Sequence, residues 1–217
     1  MVCDVCGLEF ATAHACSGKP IPESVRAIIA AEMAVPEDAG LLYYATQAWK
    51  IVRWDDAAVR RNAKDPRALM YGILFWLLAA VSILIVSTAP QVMLQLRRLN
   101  LSAKIVAVIV GLSFACFLAA VVTLVQISLC HAIAKWMFGG KGRLIELMRP
   151  LLLAWYINCL MLVPVVGTIV GAILWIGVVM LVFEEIEGIE RMKAFGISVV
   201  VNISLLGLQF YFIQPRH

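Results

Sequence analysis

Four side chains near the N-terminus have the types and spacing to hold one metal ion. The chain opens with Cys3-Asp4-Val5-Cys6-Gly7 and soon reaches His14-Ala15-Cys16-Ser17-Gly18. Two thiolates with two residues between them can grip a tetrahedral zinc from a tight knuckle, and Gly7 lets the backbone turn behind them. His14 and Cys16 complete a set of three sulfurs and one imidazole. So short a segment cannot build an apolar core, so bound zinc is what would fold it. Four protein ligands close such a site, which makes it structural and not catalytic. A haem-attachment reading fails because Gly7, not histidine, follows Cys6. A thioredoxin-like reading lacks the strand and helix that would frame it. Cys116, Cys130 and Cys159 lie in apolar sequence, where cysteine is a small apolar filler, and no disulfide framework is read.

Beyond the head, groups that could do chemistry are sparse. His131 closes a long apolar run, where an imidazole could ligate a haem or a chlorophyll-type pigment; the plainer expectation is an interfacial histidine among headgroups. Glu184, Glu185, Glu187 and Glu190 could bind a cation, but no Glu-x-x-His pattern accompanies them. A solvated face partly neutralised by Arg191 and Lys193 is expected instead. Gly139-Gly140-Lys141-Gly142 lacks the glycine frame and the Ser/Thr of a phosphate loop, and is expected to be a flexible loop. Asn158 and Asn202 are the most polar groups well inside apolar segments and are candidates for hydrogen bonds between helices. Neither a nucleophile–base pair nor a relay carboxylate is found, so the chain is not expected to be an enzyme. Its basic residues form no long block, so no nucleic-acid footprint is read.

The elements that must carry these groups are membrane helices. The chain has 217 residues, of which 63% are hydrophobic and 15% charged, with mean hydropathy +0.92. Soluble domains carry about 25% charged residues. No Asp or Glu occurs between Asp65 and Glu146, nor between Glu146 and Glu184. A helix crossing a hydrocarbon core about 30 Å thick needs about 20 apolar residues. The spacing predicts spans at about 68–89, 105–130, 150–163, 167–183 and 194–213, with Asp65 capping the first and Pro66 in its opening turn. The uncharged stretch 150–183 is too long for one crossing. It is expected to bend at Pro164 and Gly167 into a hairpin that either crosses or re-enters. Gly167-x3-Gly171 and Gly111-x3-Ala115-x3-Ala119 are candidate helix contacts.

Residues 1–19 form the zinc-knuckle-like segment and 20–67 the cytoplasmic or interfacial helices. The latter include a weak helix over Glu23–Met33 and an amphipathic one over Leu41–Trp54. Leu41, Ala45, Ala48 and Val52 are expected on its apolar side, with Trp49, Trp54, Tyr43 and Tyr44 suited to the headgroup zone. Asp55 and Asp56 open a short helix that ends on Arg60, Arg61 and Lys64, as its dipole favours. Residues 41–64 either lie along the inner membrane surface or pack on the bundle. The first apolar run begins too late for a cleavable signal. Lys and Arg number fourteen on the N-terminal side and four (Arg97, Arg98, Lys104, Arg216) on the other. That bias predicts a cytoplasmic N-terminus and an external C-terminus.

Several motifs in order carry a resemblance over about 68–213. They are Tyr71-Gly72 with Trp76, Phe138-Gly139-Gly140-Lys141-Gly142, Pro164-Val165-Val166-Gly167 and Arg191-Met192-Lys193-Ala194. In these the chain resembles the Yip family of five-span membrane proteins, named for interacting with Ypt/Rab GTPases, although the first span lacks that family's proline. The head resembles a truncated zinc-ribbon knuckle, with one residue between His14 and Cys16 where ribbons have two. A zinc-like head is similar to prokaryotic members, so the resemblance implies a fold and a bacterial inner membrane, not GTPase binding. The expectation is an all-α membrane protein: a five-helix transmembrane bundle with a small zinc knuckle and interfacial helices. It would serve as a non-catalytic assembly or docking element, an accessory subunit whose partners are the lipid bilayer and other membrane-protein subunits. The rivals are a small-molecule or lipid transporter that uses the broken hairpin, and a pigment- or haem-bearing subunit that uses His131.

Overall fold

A computed structural model describes residues 34–96, 100–163 and 166–213. All regular structure among them is helical. The order is α1 (Leu41–Val52), α2 (Asp56–Lys64), α3 (Arg67–Leu96), α4 (Leu101–Phe138), α5 (Leu144–Ala154), a 3₁₀ segment η1 (Trp155–Leu162), α6 (Val166–Glu187) and α7 (Arg191–Ile213). Within α3, α4 and α6, the segments Arg67–Val86, Leu101–Phe138 and Ile169–Glu187 are each long and apolar enough to cross a membrane.

The caps follow from sequence. Asp55 accepts the N–H of Ala58 at 3.0 Å to open α2, and Asp65 accepts that of Arg67 at 3.0 Å to open α3. Asn100 does the same for α4, from Ala103 at 2.9 Å. The α1–α2 turn needs Trp54 in the left-handed region, at φ 65°. This places its indole on α6 at Gly177, where an added Cβ would lie 2.6 Å from Cζ2.

The α1–α2 pair packs on the bundle. Its buried stripe is Tyr44, Gln47, Ala48, Ile51 and Val52, so the expected apolar side is only half right: Leu41 and Ala45 face outward. What turns the helix is Tyr44, whose hydroxyl bonds the buried Asp65 and whose ring stacks on Tyr71 at 4.2 Å. At the centre runs α5, with Leu147 and every residue from Pro150 to Ala154 buried. Such all-round burial requires neighbours on every side, here α1, α2, α3 and α6. An added Cβ at Gly72 would lie 2.9 Å from Leu152 Cβ and 3.2 Å from Leu153 N, so this glycine sets how closely α3 and α5 approach.

The third expected segment starts earlier than 150, at Leu144, and tightens to 3₁₀ geometry from Trp155. The helix expected at 105–130 is one continuous helix from Leu101 to Phe138, about 57 Å long at 1.5 Å per residue. Gly111 has nothing within 4 Å of an added Cβ, so the expected small-residue contact on α4 is missing there. It is made lower down, where Ala119 and Ala120 pack on Trp76 and Ala80. Gly167 does make its contact, against the Leu160 carbonyl of η1.

Burial is uneven along the helices. Val178, Val179, Leu181, Val182, Phe183 and Ile186 at the end of α6 are all buried, whereas Val166, Ile169 and Ile173 at its start are exposed. A band of indoles separates the two regions. Trp76 donates to Thr123 Oγ1 at 3.2 Å, and its ring lies 6.2 Å from Trp155, which lies 6.2 Å from Trp175. The band thus joins α3, α4, η1 and α6 at one level.

Candidate functional site

The most constrained polar cluster lies at the bottom of the bundle, on Glu187. This carboxylate is the last residue of α6, where the helix dipole disfavours negative charge, and its side chain is 0% exposed. Burial at such a place is costly unless hydrogen bonds repay it. The chain supplies them from two directions. His131 on α4, its side chain 14% exposed, meets Glu187 Oε1 through Nδ1. Gly142 donates its N–H to Glu187 Oε2 at 3.0 Å.

Local sequence builds the second arm. Gly139 ends α4 in the left-handed conformation at φ 70°, and Gly140 N–H returns to the Ala134 carbonyl at 3.0 Å. The chain then runs along α6, where Lys141 N–H donates to the Glu187 carbonyl at 3.1 Å. An added Cβ at Gly140 would lie 2.5 Å from Glu187 Oε2, and one at Gly142 2.9 Å from the Ile186 carbonyl oxygen. The two glycines are therefore a cradle for one carboxylate. The expectation of a flexible loop is replaced by a fitted one.

The other carboxylates of the cluster are also paired. Glu184 meets Arg191, Glu185 meets Arg60 of α2 at 2.7 Å, and Glu190 meets Lys193 at 3.1 Å. Burial pushes the Glu185 carboxyl above its ordinary range, against the pull of Arg60. A solvated face therefore describes Glu190, but not Glu187. The cluster is internal wiring that joins α6 to α2, α4 and α7. Among the described residues no group of three or more His, Cys, Asp or Glu could hold a metal ion.

A second node ties the α1–α2 pair down. Burial, and then the bond to Asp65, pushes the Tyr44 phenol well above its usual range. Arg67 donates to the carbonyls of Pro36 and Glu37, each at 3.0 Å. Arg149 reaches the Ala63 carbonyl at 2.6 Å.

The sequence-predicted sites divide accordingly. Cys3, Cys6, His14 and Cys16 lie outside the described residues, as do the Glu23–Met33 helix and Pro164. The structure gives His131 a protein partner, Glu187, at Nδ1. Asn158 is buried but donates to the Trp155 carbonyl within its own segment, at 2.9 Å, instead of bridging helices. Asn202 lies on α7, and its side chain is outside the described set. The chain matches no family model, curated protein or solved structure. Sequence reasoning missed Glu187 as the hub. The available signal was a carboxylate placed against its helix dipole, which calls for a dedicated partner.

Proposed function

We propose that this chain is a non-catalytic membrane protein that serves as an assembly or docking element, an accessory subunit of a larger membrane complex. The observation that carries the reading is the water-facing end of the bundle. There Glu184, Glu185, Glu187 and Glu190 are each held in an internal pair while large apolar side chains are presented outward. Trp136 and Met137, beyond His131 on α4, are 85% and 71% exposed, and Leu42 on α1 is 82% exposed. Tryptophan and methionine are enriched at protein interfaces, and buried tryptophans often anchor them. These residues stand on a cap fixed by the Glu187 cradle and the Tyr44–Asp65 node, so a partner would meet a preorganised surface.

The finer reading keeps the resemblance to the Yip family. Five apolar segments, 68–89, 105–130, 150–163, 167–183 and 194–213, pack as one bundle in a bacterial inner membrane, with the N-terminus cytoplasmic and α7 pointing outward. A zinc knuckle built from Cys3, Cys6, His14 and Cys16 adds a second, metal-folded docking module to the cap. The test is native electrophoresis of gently solubilised source membranes, with mass spectrometry on the band that contains this chain. Migration within a large assembly is expected, and Trp136→Ala together with Met137→Ala should release the chain from it. Migration as a lone chain or a small oligomer would overturn the docking reading and bring the transport reading forward.

A further inference from the structure

The bundle's own dimensions place it in the bilayer, and the placement is unequal between the two leaflets. The Trp76–Trp155–Trp175 band sits where indoles collect, at a membrane–water boundary. From Trp76 up to Leu96, α3 runs about 30 Å, and from Thr123 back to Leu101, α4 runs about 33 Å. Less the polar ends that carry Gln91 and Gln95 on α3 and Ser102 and Lys104 on α4, the apolar stretches above the band are about 21 Å (Trp76–Pro90) and about 27 Å (Ile105–Thr123), against a hydrocarbon core about 30 Å thick. The sequence linking them carries Arg97, Arg98, Asn100, Ser102 and Lys104, the polar residues expected at the far headgroups.

The hairpin of η1 and α6 is only half as tall. From Trp155 to Leu162, η1 rises about 14 Å at 2.0 Å per residue. From Trp175 back to Val166, α6 also rises about 14 Å. Two arms of different helix type give the same height, so the tip lies near mid-bilayer. Its composition agrees: 160–167 reads Leu-Met-Leu-Val-Pro-Val-Val-Gly, without a charge or an amide side chain. So does its backbone, as hydrocarbon demands internal partners for main-chain groups. Val163 N–H bonds the Leu160 carbonyl at 2.9 Å and Gly167 N–H the Val163 carbonyl at 3.1 Å. An added Cβ on Gly167 would lie 1.9 Å from the Leu160 oxygen, so the two arms approach closely there. Val163 and Val166, both exposed, project apolar surface there.

Starting beside Glu184, which pairs with Arg191 and lies nine residues below Trp175, α7 passes the level of the band near Val200 and reaches about 20 Å beyond it at Ile213. The leaflet on the basic, cap-bearing side thus holds five helical segments: α3, α4, η1, α6 and α7. Among the described residues, α3 and α4 run on through the other leaflet, and α7 enters it with its last turns. We infer that the η1–α6 hairpin is re-entrant and that the chain is a wedge, displacing more lipid from the cap-side leaflet and favouring membranes that bulge toward the cap. The partner is the bilayer itself, selected by curvature. The inference rests on the membrane reading of the helices, not on docking to another protein, and the purified chain alone can test it.

Two measurements on the full-length protein in phosphatidylcholine vesicles decide the matter. In a chain whose native cysteines are replaced, a fluorophore on Val166→Cys is quenched by lipids brominated at defined acyl depths. Quenching strongest near the chain ends, with none by aqueous iodide on either side, is expected. Strongest quenching near the headgroups, or iodide access, would mean that the hairpin crosses and would overturn the inference. The second measurement reconstitutes the unmodified chain into small and large vesicles and reads orientation by protease access to the cap. In small vesicles the cap-outward fraction should exceed that in large ones several-fold. An orientation ratio independent of vesicle size would refute the wedge even if the tip proves deep.

Discussion

Replacing Glu187 by alanine removes the carboxylate around which three chain segments are fitted. The variant leaves Gly142 N–H without the acceptor it holds at 3.0 Å and strips His131 of its partner. An orphaned buried donor costs about 1–3 kcal/mol, and the lost hydrogen bond between His131 and the carboxylate is worth about 1.5–3 kcal/mol. Relief of the unfavourable charge at the C-terminus of α6 returns only about 0.3–1 kcal/mol. A net loss of about 3–4 kcal/mol is therefore expected. Glu187→Gln keeps an oxygen for Gly142 and offers an N–H to His131, so it should cost only about 1 kcal/mol. Cys130 precedes His131 and is buried, which makes its thiol a local reporter. If labelling proceeds through opening of this region, each ~1.4 kcal/mol is a factor of ten. Modification of Cys130, followed by mass spectrometry of its peptide in lipid, should then be faster by roughly two to three orders of magnitude in Glu187→Ala and by less than about tenfold in Glu187→Gln. Wild-type labelling in the alanine variant, or equal acceleration in both, would refute the cradle as a hydrogen-bonded hub.

Three further outcomes are expected from the same geometry. Gly72→Ala must push α3 from α5, because the contact is with Leu152 Cβ and the Leu153 backbone, and should cost about 1–3 kcal/mol; Gly111→Ala, with open space around it, should leave the thermal midpoint unchanged or slightly raised. Burial raises the Glu185 carboxyl, so its contribution is most favourable at acid pH and is lost as pH rises through that raised value. Glu185→Gln should accordingly gain on wild type as pH goes from mildly acidic to neutral, by less than about 1 kcal/mol since Arg60 is half exposed, as read by thermal melts across pH. Zinc analysis of the purified full chain should return one metal per chain, and Cys6→Ser should abolish it, whereas metal-free wild-type protein would dismiss the knuckle.

Three helices long and apolar enough to cross a membrane were legible as runs without charge. Asp65 marked the start of α3 through local capping chemistry, whereas the ends at Asn100 and Gly139 were not anticipated. The amphipathic helix was harder. Leu41 and Ala45 have the periodicity of a buried face, but Tyr44 wins because its hydroxyl finds Asp65 and its ring finds Tyr71, both far along the chain. The candidate site was least legible. Local sequence marks Glu187 only by its place against the α6 dipole; the return of α4 and the Gly140–Gly142 loop to the same place is what leaves it buried while Glu190, three residues on, is solvated. Asn158 shows the converse: a polar group in an apolar run suggested a bridge between helices, but 3₁₀ geometry brought the Trp155 carbonyl within its own reach.

Two solvents shape this chain, and the placement of polarity shows where one gives way to the other. Below the indole band lie an apolar core around α5 and the carboxylates Glu185 and Glu187, held by ion pairs or hydrogen bonds, with Met70, Ile73, Leu124 and Val125 still exposed on α3 and α4. Above it, exposed leucine, valine and isoleucine are correct surface residues, and only helices or tightly closed turns can survive. The Glu187 cradle and the hairpin tip lie on opposite sides of that boundary and solve the same problem, satisfying polar groups where water does not reach, with different means. At the cradle, glycines let backbone N–H groups approach a carboxylate. At the tip, Gly167 lets two backbone segments approach each other. A side chain added at Gly140, Gly142 or Gly167 would therefore act on folding through lost backbone proximity, not through lost charge. That is why these glycines, rather than the exposed basic residues, define what the sequence must keep.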